Sequence, residues 1–229
     1  MKLNPMDFDE RSPLAELQLE APVLQHQGRI FAERLGTGDE AALLRRGGLA
    51  DLCNLPRFGL RGPAAAGYLQ GQGYRLPESP NQALRQPGGE WLLRLSQSEY
   101  LLLGALADGG ARVATLEAAG ASLGPGCYPL PRQDSHAWLI LTGAQLPALL
   151  AKLCGVDLGR PFAVGQVVQT SVARLNAILL NAGDGALPHV HLLCDRASAH
   201  YLWHALLDAL QEFEGGALGV AVLLEAGIP

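Results

Sequence analysis

Apolar positions along this chain follow two periods, and the change from one to the other is clearest in its second half. Trp138-Leu-Ile-Leu141 is a continuous apolar run of strand length that stops just before Gly143. Leu146, Leu149, Leu150 and Leu153 then recur at i, i+3, i+4 and i+7, the spacing of one buried helix face. Gly143 lies where the chain must turn sharply between two packed elements, which a residue without a Cβ allows. Pro147 falls in the first helical turn, where its missing N–H costs little, and Thr142 is the expected capping hydroxyl. The pattern predicts a strand, a glycine turn and a helix.

The same design occurs earlier. Phe58 to Arg61 predicts a strand, Gly62 the turn, and Pro63 to Gln70 a helix opened by proline, with Gly62 standing 81 residues before Gly143. Glu90 to Leu95 and Tyr100 to Leu103 predict two strands joined by the polar turn Ser96-Gln-Ser-Glu99. Ala111 to Ala121 predicts a helix. Gln166 to Arg174 and Ala177 to Leu180 predict strands, Asn181 to Gly185 a turn, and Val190 to Cys194 the return strand. A last helix, capped by Asp195 or Ser198, carries Leu202, Leu206, Leu210 and Phe213 as its buried stripe. Ahead of these, Arg11 to Leu14 predicts a short helix capped by Ser12. Gly28 to Phe31 predicts a strand, and Gly36 to Arg46 includes a helical run ended by Gly47-Gly48. The prolines of residues 71–89 (Pro77, Pro80 and Pro87) predict loop.

This order predicts an α+β fold of two similar strand–turn–helix lobes. Residues 1–48 form an N-terminal arm and lead-in, 49–125 the first lobe, 126–216 the second, and 217–229 an apolar tail. The segment 124–131 marks the boundary between the halves.

Composition narrows the function more than the fold. The chain of 229 residues is 48% hydrophobic and 17% charged, with a formal net charge of −5, which gives no basic footprint for nucleic acid. No run approaches the roughly 20 apolar residues of a membrane span, and Met1 to Glu10, with Asp7, Asp9 and Glu10, is no signal peptide. A cytoplasmic location is expected. The four cysteines, Cys53, Cys127, Cys154 and Cys194, form no Cys-x-x-Cys pair.

Candidate chemistry is sparse. His189 and His191 lie two apart on a predicted strand, and His200 and His204 four apart on the last helix, so each pair shares a face as metal ligands would. No Glu follows His200 to complete a His-Glu-x-x-His pattern, and the sequence assigns no metal; these four histidines are its candidate ligands. Cys127, beside Tyr128 and nearest in sequence to His136, is a nucleophile candidate, although its surroundings favour a buried structural thiol. Asp51 and Asp134 are candidate bases, or residues that cap turns. Neither a phosphate-binding glycine loop nor a catalytic triad is present, and the sequence assigns this chain no catalytic and no cofactor-binding residue.

Leu49-Ala-Asp-Leu-Cys-Asn-Leu-Pro-Arg-Phe-Gly-Leu-Arg-Gly-Pro-Ala-Ala-Ala-Gly-Tyr-Leu69 resembles the opening motif of the glycine-cleavage aminomethyltransferase superfamily. The second half is closer still to the gamma subunits of heterotetrameric sarcosine oxidases: Trp138 to Asp157, Phe162 to Leu180 with Gln169-Thr170-Ser171, and Val190 to Phe213 with Tyr201-Leu-Trp203. Arg11-Ser12-Pro13-Leu14 resembles the N-terminal arm of those subunits, which makes these four residues a candidate partner contact. The resemblance implies the first two-thirds of the aminomethyltransferase fold. It also implies a structural role without catalytic residues of its own, beside alpha, beta and delta subunits. FAD, FMN, NAD and tetrahydrofolate would then sit in the partner subunits, in a complex that demethylates sarcosine or a related N-methyl amino acid. Arg132-Gln-Asp-Ser-His136 departs from the family's Asp-Leu-Ser-like element. That leaves a second expectation, a stand-alone folate-binding aminomethyltransferase-like protein or assembly factor.

Overall fold

A computed structural model describes residues 4, 6, 8, 10–36, 38–120, 123–158, 162–183 and 186–228. The chain divides into two compact units. One takes in the described residues of Met1–Asn54, His136–Val164 and Val168–Ile228; the other consists of Leu55–Ser135 with Gly165–Val167.

The first unit begins with a 3-10 turn, Ala15–Gln18, and a hairpin of β1 (Val23–His26) and β2 (Arg29–Ala32). Helix α1 (Glu40–Arg46), capped by Asp39, whose side chain accepts the Ala42 N–H, leads into β3 (Gly48–Asp51). In the second unit β4 (Arg57–Arg61) is followed by α2 (Ala65–Gly71), β5 (Gln82–Arg85), β6 (Trp91–Arg94), β7 (Glu99–Leu103), α3 (Ala111–Ala119) and β8 (Tyr128–Pro131). The chain then returns to the first unit. There β9 (His136–Thr142), α4 (Leu146–Leu153), β10 (Val167–Val172), β11 (Leu175–Asn181), β12 (His189–Asp195), α5 (Ala199–Gln211), β13 (Gly216–Ala217) and α6 (Val220–Glu225) follow in order.

The first unit is built on a six-stranded sheet of order β10-β11-β12-β9-β3-β13. Alternation along its central strands sorts side chains by face. Ala137, Leu139 and Leu141 of β9 and Val190, Leu192 and Cys194 of β12 join one core with Leu146, Leu149 and Leu150 of α4 and Leu202, Leu206 and Leu210 of α5. The opposite face carries Trp138, Ile140, Thr142, His189, His191 and Leu193, all buried. Both faces of these strands are covered, which is why the sequence shows unbroken apolar runs there. The second unit repeats the plan on a five-stranded sheet, β5-β6-β7-β4-β8. Phe58, Leu60, Leu92, Tyr100 and Leu102 pack with Ala65 and Leu69 of α2 and Val113 and Leu116 of α3.

The paired glycine turns are real. Gly62 and Gly143 have φ of +128° and +103°, each at the end of a central strand just before a helix, as the 81-residue offset requires. Thr142, however, does not cap α4: it is the last residue of β9 and wholly buried, and the N-cap position is Gln145, without a side-chain cap bond. Nor does Ser12 start a helix at Pro13. The turn begins at Ala15, and the Ser12 hydroxyl accepts the Leu14 N–H at 3.0 Å.

The expected lobe boundaries also shift. The described residues of 1–48 are no separate arm. They share a unit with β9 to α6, because β3 pairs antiparallel with β9 across more than 80 residues of sequence. The boundary near 125 moves to 135–136, since Tyr128–Pro131 is the edge strand β8, paired to β4. Pro129 and Pro131 are tolerated there because an edge strand leaves one side of its backbone unpaired. Within the expected loop of residues 71–89 lies β5. The apolar stretch after Gly216 is not a tail: β13 adds a parallel strand beside β3, and α6 buries Val220, Val222 and Leu223. The buried Glu40 carboxylate fastens this end, accepting N–H groups from Leu35 at 2.8 Å, Gly36 at 3.0 Å and Gly219 at 3.3 Å.

Candidate functional site

A concavity of the first unit lies on the sheet face turned away from α4 and α5. It has a volume of about 330 Å³ and is lined by His136, Gln169, Thr170, Asn176, Ala177, Ile178 and Leu193. Four strands, β9 to β12 without the intervening helix, assemble it. Leu193 of β12 is paired with Ile178 of β11, and His136 opens β9 opposite Asp195. The β10–β11 connection is a two-residue turn with φ of 49° at Ala173 and 68° at Arg174. Positive φ at both central residues is the hairpin geometry that matches strand twist. The Tyr201 hydroxyl of α5 donates to the Ala173 carbonyl at 3.1 Å and steadies that turn. The lining offers amide, hydroxyl and imidazole groups over an apolar floor, which suits a small neutral molecule with hydrogen-bonding edges. It contains neither carboxylate nor thiol.

The candidate metal ligands are placed in two separate arrangements. His189 and His191 are buried on β12; His189 Nδ1–H donates to the Leu187 carbonyl at 2.9 Å, and His191 Nδ1 accepts the Trp138 indole N–H at 3.1 Å. His200 and His204 sit on the outer face of α5, where His200 Nε2–H donates to the Pro13 carbonyl at 2.7 Å and His204 Nδ1–H to the His200 carbonyl at 2.8 Å. Each pair shares a face as its spacing required, but each ring spends a nitrogen within the chain. Among the described residues no group of three or more His, Cys, Asp or Glu side chains is arranged to hold a metal ion.

Asp51 does not stand as a free base. Its Oδ2 accepts from the Ser12 hydroxyl at 2.5 Å and from Gln18 Nε2 at 2.9 Å, while Oδ1 accepts the Cys53 N–H at 2.8 Å. Arg196 donates to the Arg11 carbonyl at 2.6 Å, and the Leu14 side chain enters the main core. Of the four residues expected to reach a partner, Ser12 and Leu14 are therefore buried against their own chain, Pro13 is half-buried, and Arg11 stays exposed. Asp134 is an exposed turn residue. Arg57, which the sequence gave no reason to single out, is wholly buried and donates to the Leu55 and Gln133 carbonyls at 3.0 Å each.

Cys127 belongs to the core of the second unit, whereas His136 lies in the first. Burial pushes the Cys127 thiol up. Cys194 is pushed up to about 12, first by burial and then by the neighbouring Asp195 charge. Since only the thiolate is an effective nucleophile, neither is prepared for chemistry. All four cysteines are buried, so Ellman's reagent at pH 8 is expected to label almost none in the native chain and all four once it is unfolded. The stability that Cys194 contributes is fully present below its unfolded value of 9 and is lost as the pH climbs from 9 toward about 12. Rapid labelling of Cys194 in the native chain would contradict this.

No protein-family model and no curated protein sequence matches the chain. Solved structures do. A chain of the heterotetrameric sarcosine oxidase from Corynebacterium sp. U-96 aligns with a TM-score of 0.63 at 24% identity, over 90% of this chain and 97% of that one. The glycine cleavage system aminomethyltransferase T from Bartonella henselae aligns with a TM-score of 0.71 at 21% identity, over 95% of this chain and 62% of that one. This chain therefore spans less than two-thirds of the aminomethyltransferase and nearly all of the sarcosine oxidase chain. The chain has an α+β fold of the aminomethyltransferase type, shared with a chain of a heterotetrameric sarcosine oxidase.

Proposed function

We propose that this chain is a non-catalytic assembly subunit, of the gamma type, in a sarcosine oxidase-type flavoenzyme complex. The observation that supports this most is the two-way coverage: the similarity takes in 90% of this chain and 97% of a chain from an enzyme that is itself heterotetrameric. The residues point the same way. The candidate base Asp51 is committed to hydrogen bonds inside the chain, and the candidate nucleophile is a buried thiol pushed away from ionisation. In this reading the alpha, beta and delta subunits are the partners and carry FAD, FMN, NAD and tetrahydrofolate. The complex oxidatively demethylates sarcosine or a related N-methyl amino acid in the cytoplasm, and this chain acts through what it holds together.

Co-expression with flavin-bearing candidate subunits tests the proposal. The expected result is co-elution at fixed stoichiometry with the flavin absorbance. Recovery of this chain only as a free monomer, with all candidate partners present and folded, would overturn it. A second reading, a stand-alone folate-binding protein, is favoured by one observation, the higher TM-score of 0.71 to the aminomethyltransferase. It requires tetrahydrofolate to bind the isolated chain. Titration with no binding at millimolar ligand would remove it.

A further inference from the structure

Neither the concave site nor an assembly role makes use of the two histidines on β12, and their surroundings are unusual for groups that ionise near neutral pH. His189 and His191 point to the face of the six-stranded sheet opposite α4 and α5, and both are buried. His191 lies across from Ile140 of β9 and Leu180 of β11. Its ring is tilted 60° to that of Trp138, with centroids 5.5 Å apart. The Trp138 indole N–H donates to His191 Nδ1 at 3.1 Å. An indole nitrogen can only donate, so His191 Nδ1 must present a lone pair, and the neutral ring carries its hydrogen on Nε2. His189 stands edge-on to it, at 87° and 5.9 Å.

We propose that Trp138, His191 and His189 form an acid-released lock on this sheet face, closed while His191 is neutral and opened by protonation of that ring. A proton on Nδ1 would turn the acceptor into a donor facing the indole donor. It would also place a cation in a buried position beside a second imidazole. The relief is exposure of the ring to water, which requires β12 and β9 to part locally.

The charges that act on His191 agree with this. Of the strands around it, β9 offers Trp138, Ile140 and Thr142, β11 offers Leu180, and β12 offers Leu193 and His189. His189 is the ionisable one. Along β9 and β12 the next titratable groups on this face are His136 and Asp195, opposite each other in register at the far end of the two strands. Asp195 lies four residues along the strand from His191, about 13 Å at the usual strand rise. Burial first, and His189 second, push His191 well below the ordinary histidine value of 6.5. The opened form regains the ordinary value. The closed form is therefore fully favoured above pH 6.5 and loses ground as the pH falls below it, at up to tenfold in the opening equilibrium per pH unit.

The test compares the full chain with His191→Gln, whose side-chain oxygen can accept the indole N–H but takes up no proton. In denaturant titrations, the unfolding constant of the parent relative to the variant is expected to be flat above pH 7. Between pH 6.5 and 5.5 it is expected to rise about fivefold. A ratio independent of pH would overturn the lock. Ring ¹⁵N NMR of the unsubstituted chain settles the case if the variant fails to fold. His191 is expected to keep its neutral Nε2–H form at pH 6, and titration in step with free histidine, or the Nδ1–H tautomer, would overturn the proposal.

Discussion

Gly143→Ala is expected to lower folding stability by about 3 kcal/mol or more, among the largest effects a single methyl group can have here. Two costs coincide. The φ of +103° lies where an L side chain is strained, a penalty of about 1–2 kcal/mol by itself. The new Cβ would also lie 2.5 Å from the carbonyl carbon of Arg46 and 2.7 Å from the nitrogen of Gly47. Those are backbone atoms leading into β3, so they cannot swing aside as the end of a side chain can. The entropy gained by restricting the unfolded chain, at most about 1 kcal/mol, does not offset this. Gly62→Ala should behave alike, since its Cβ would meet the Gly126 carbonyl oxygen at 2.2 Å. Gly28→Ala separates the two costs: its φ is +78°, but nothing lies within 4 Å of the new Cβ. Denaturant midpoints of the three variants should therefore show two large shifts and one small one. A Gly143→Ala shift no greater than that of Gly28→Ala would show that close approach contributes nothing.

What could be read from the sequence was whatever announces itself locally. The runs at Trp138 to Leu141 and Phe58 to Leu60 are buried on both faces, so no alternation was needed to find them. The stripes of α4 and α5 repeat over enough turns to fix helix and face together. Strand β5 escaped because Ala83 is its one buried residue, and an edge strand flanked by Pro80 and Pro87 has almost no apolar signal. The lobe boundary was misplaced for another reason. Pairing of β3 with β9, and of β13 with β3, is a contact between distant segments, and no local pattern encodes which strands will meet. Gly47-Gly48 looked like a chain break, yet Gly48 begins β3 and is small because Leu218 and the Thr142 hydroxyl crowd it, at 2.2 and 2.6 Å from where a Cβ would be. The concave site was hidden likewise. Its floor arises from the register of β11 on β12, and the turn that shapes it, Ala173-Arg174, has none of the Asn-Gly chemistry that marks such hairpins.

Asp51→Ala is expected to release the N-terminal segment and to cost about 3 kcal/mol. The carboxylate ties together Ser12, Gln18 and the Cys53 backbone. Hydrogen bonds to a charged acceptor are each worth about 1.5–3 kcal/mol, and both Ser12 and Gln18 are buried, so their donors would lose a partner away from water. Part of the loss is recovered if residues 11–18 peel away and hydrate. For that reason the first sign should be faster tryptic cleavage after Arg11, ahead of global unfolding. Ser12→Ala removes the bond to Asp51 and the one accepted from the Leu14 N–H and should cost about 2 kcal/mol, with the segment still docked by Leu14 and by the Arg196 and His200 contacts to the Arg11 and Pro13 carbonyls. Asp51→Asn falls between. Its oxygen can still accept from Cys53, but its amide would face the Gln18 amide donor to donor. If Asp51 were a catalytic base, the asparagine variant would leave the segment docked and stability unchanged. Unaltered proteolysis and an unaltered denaturation midpoint in Asp51→Ala would refute the clamp.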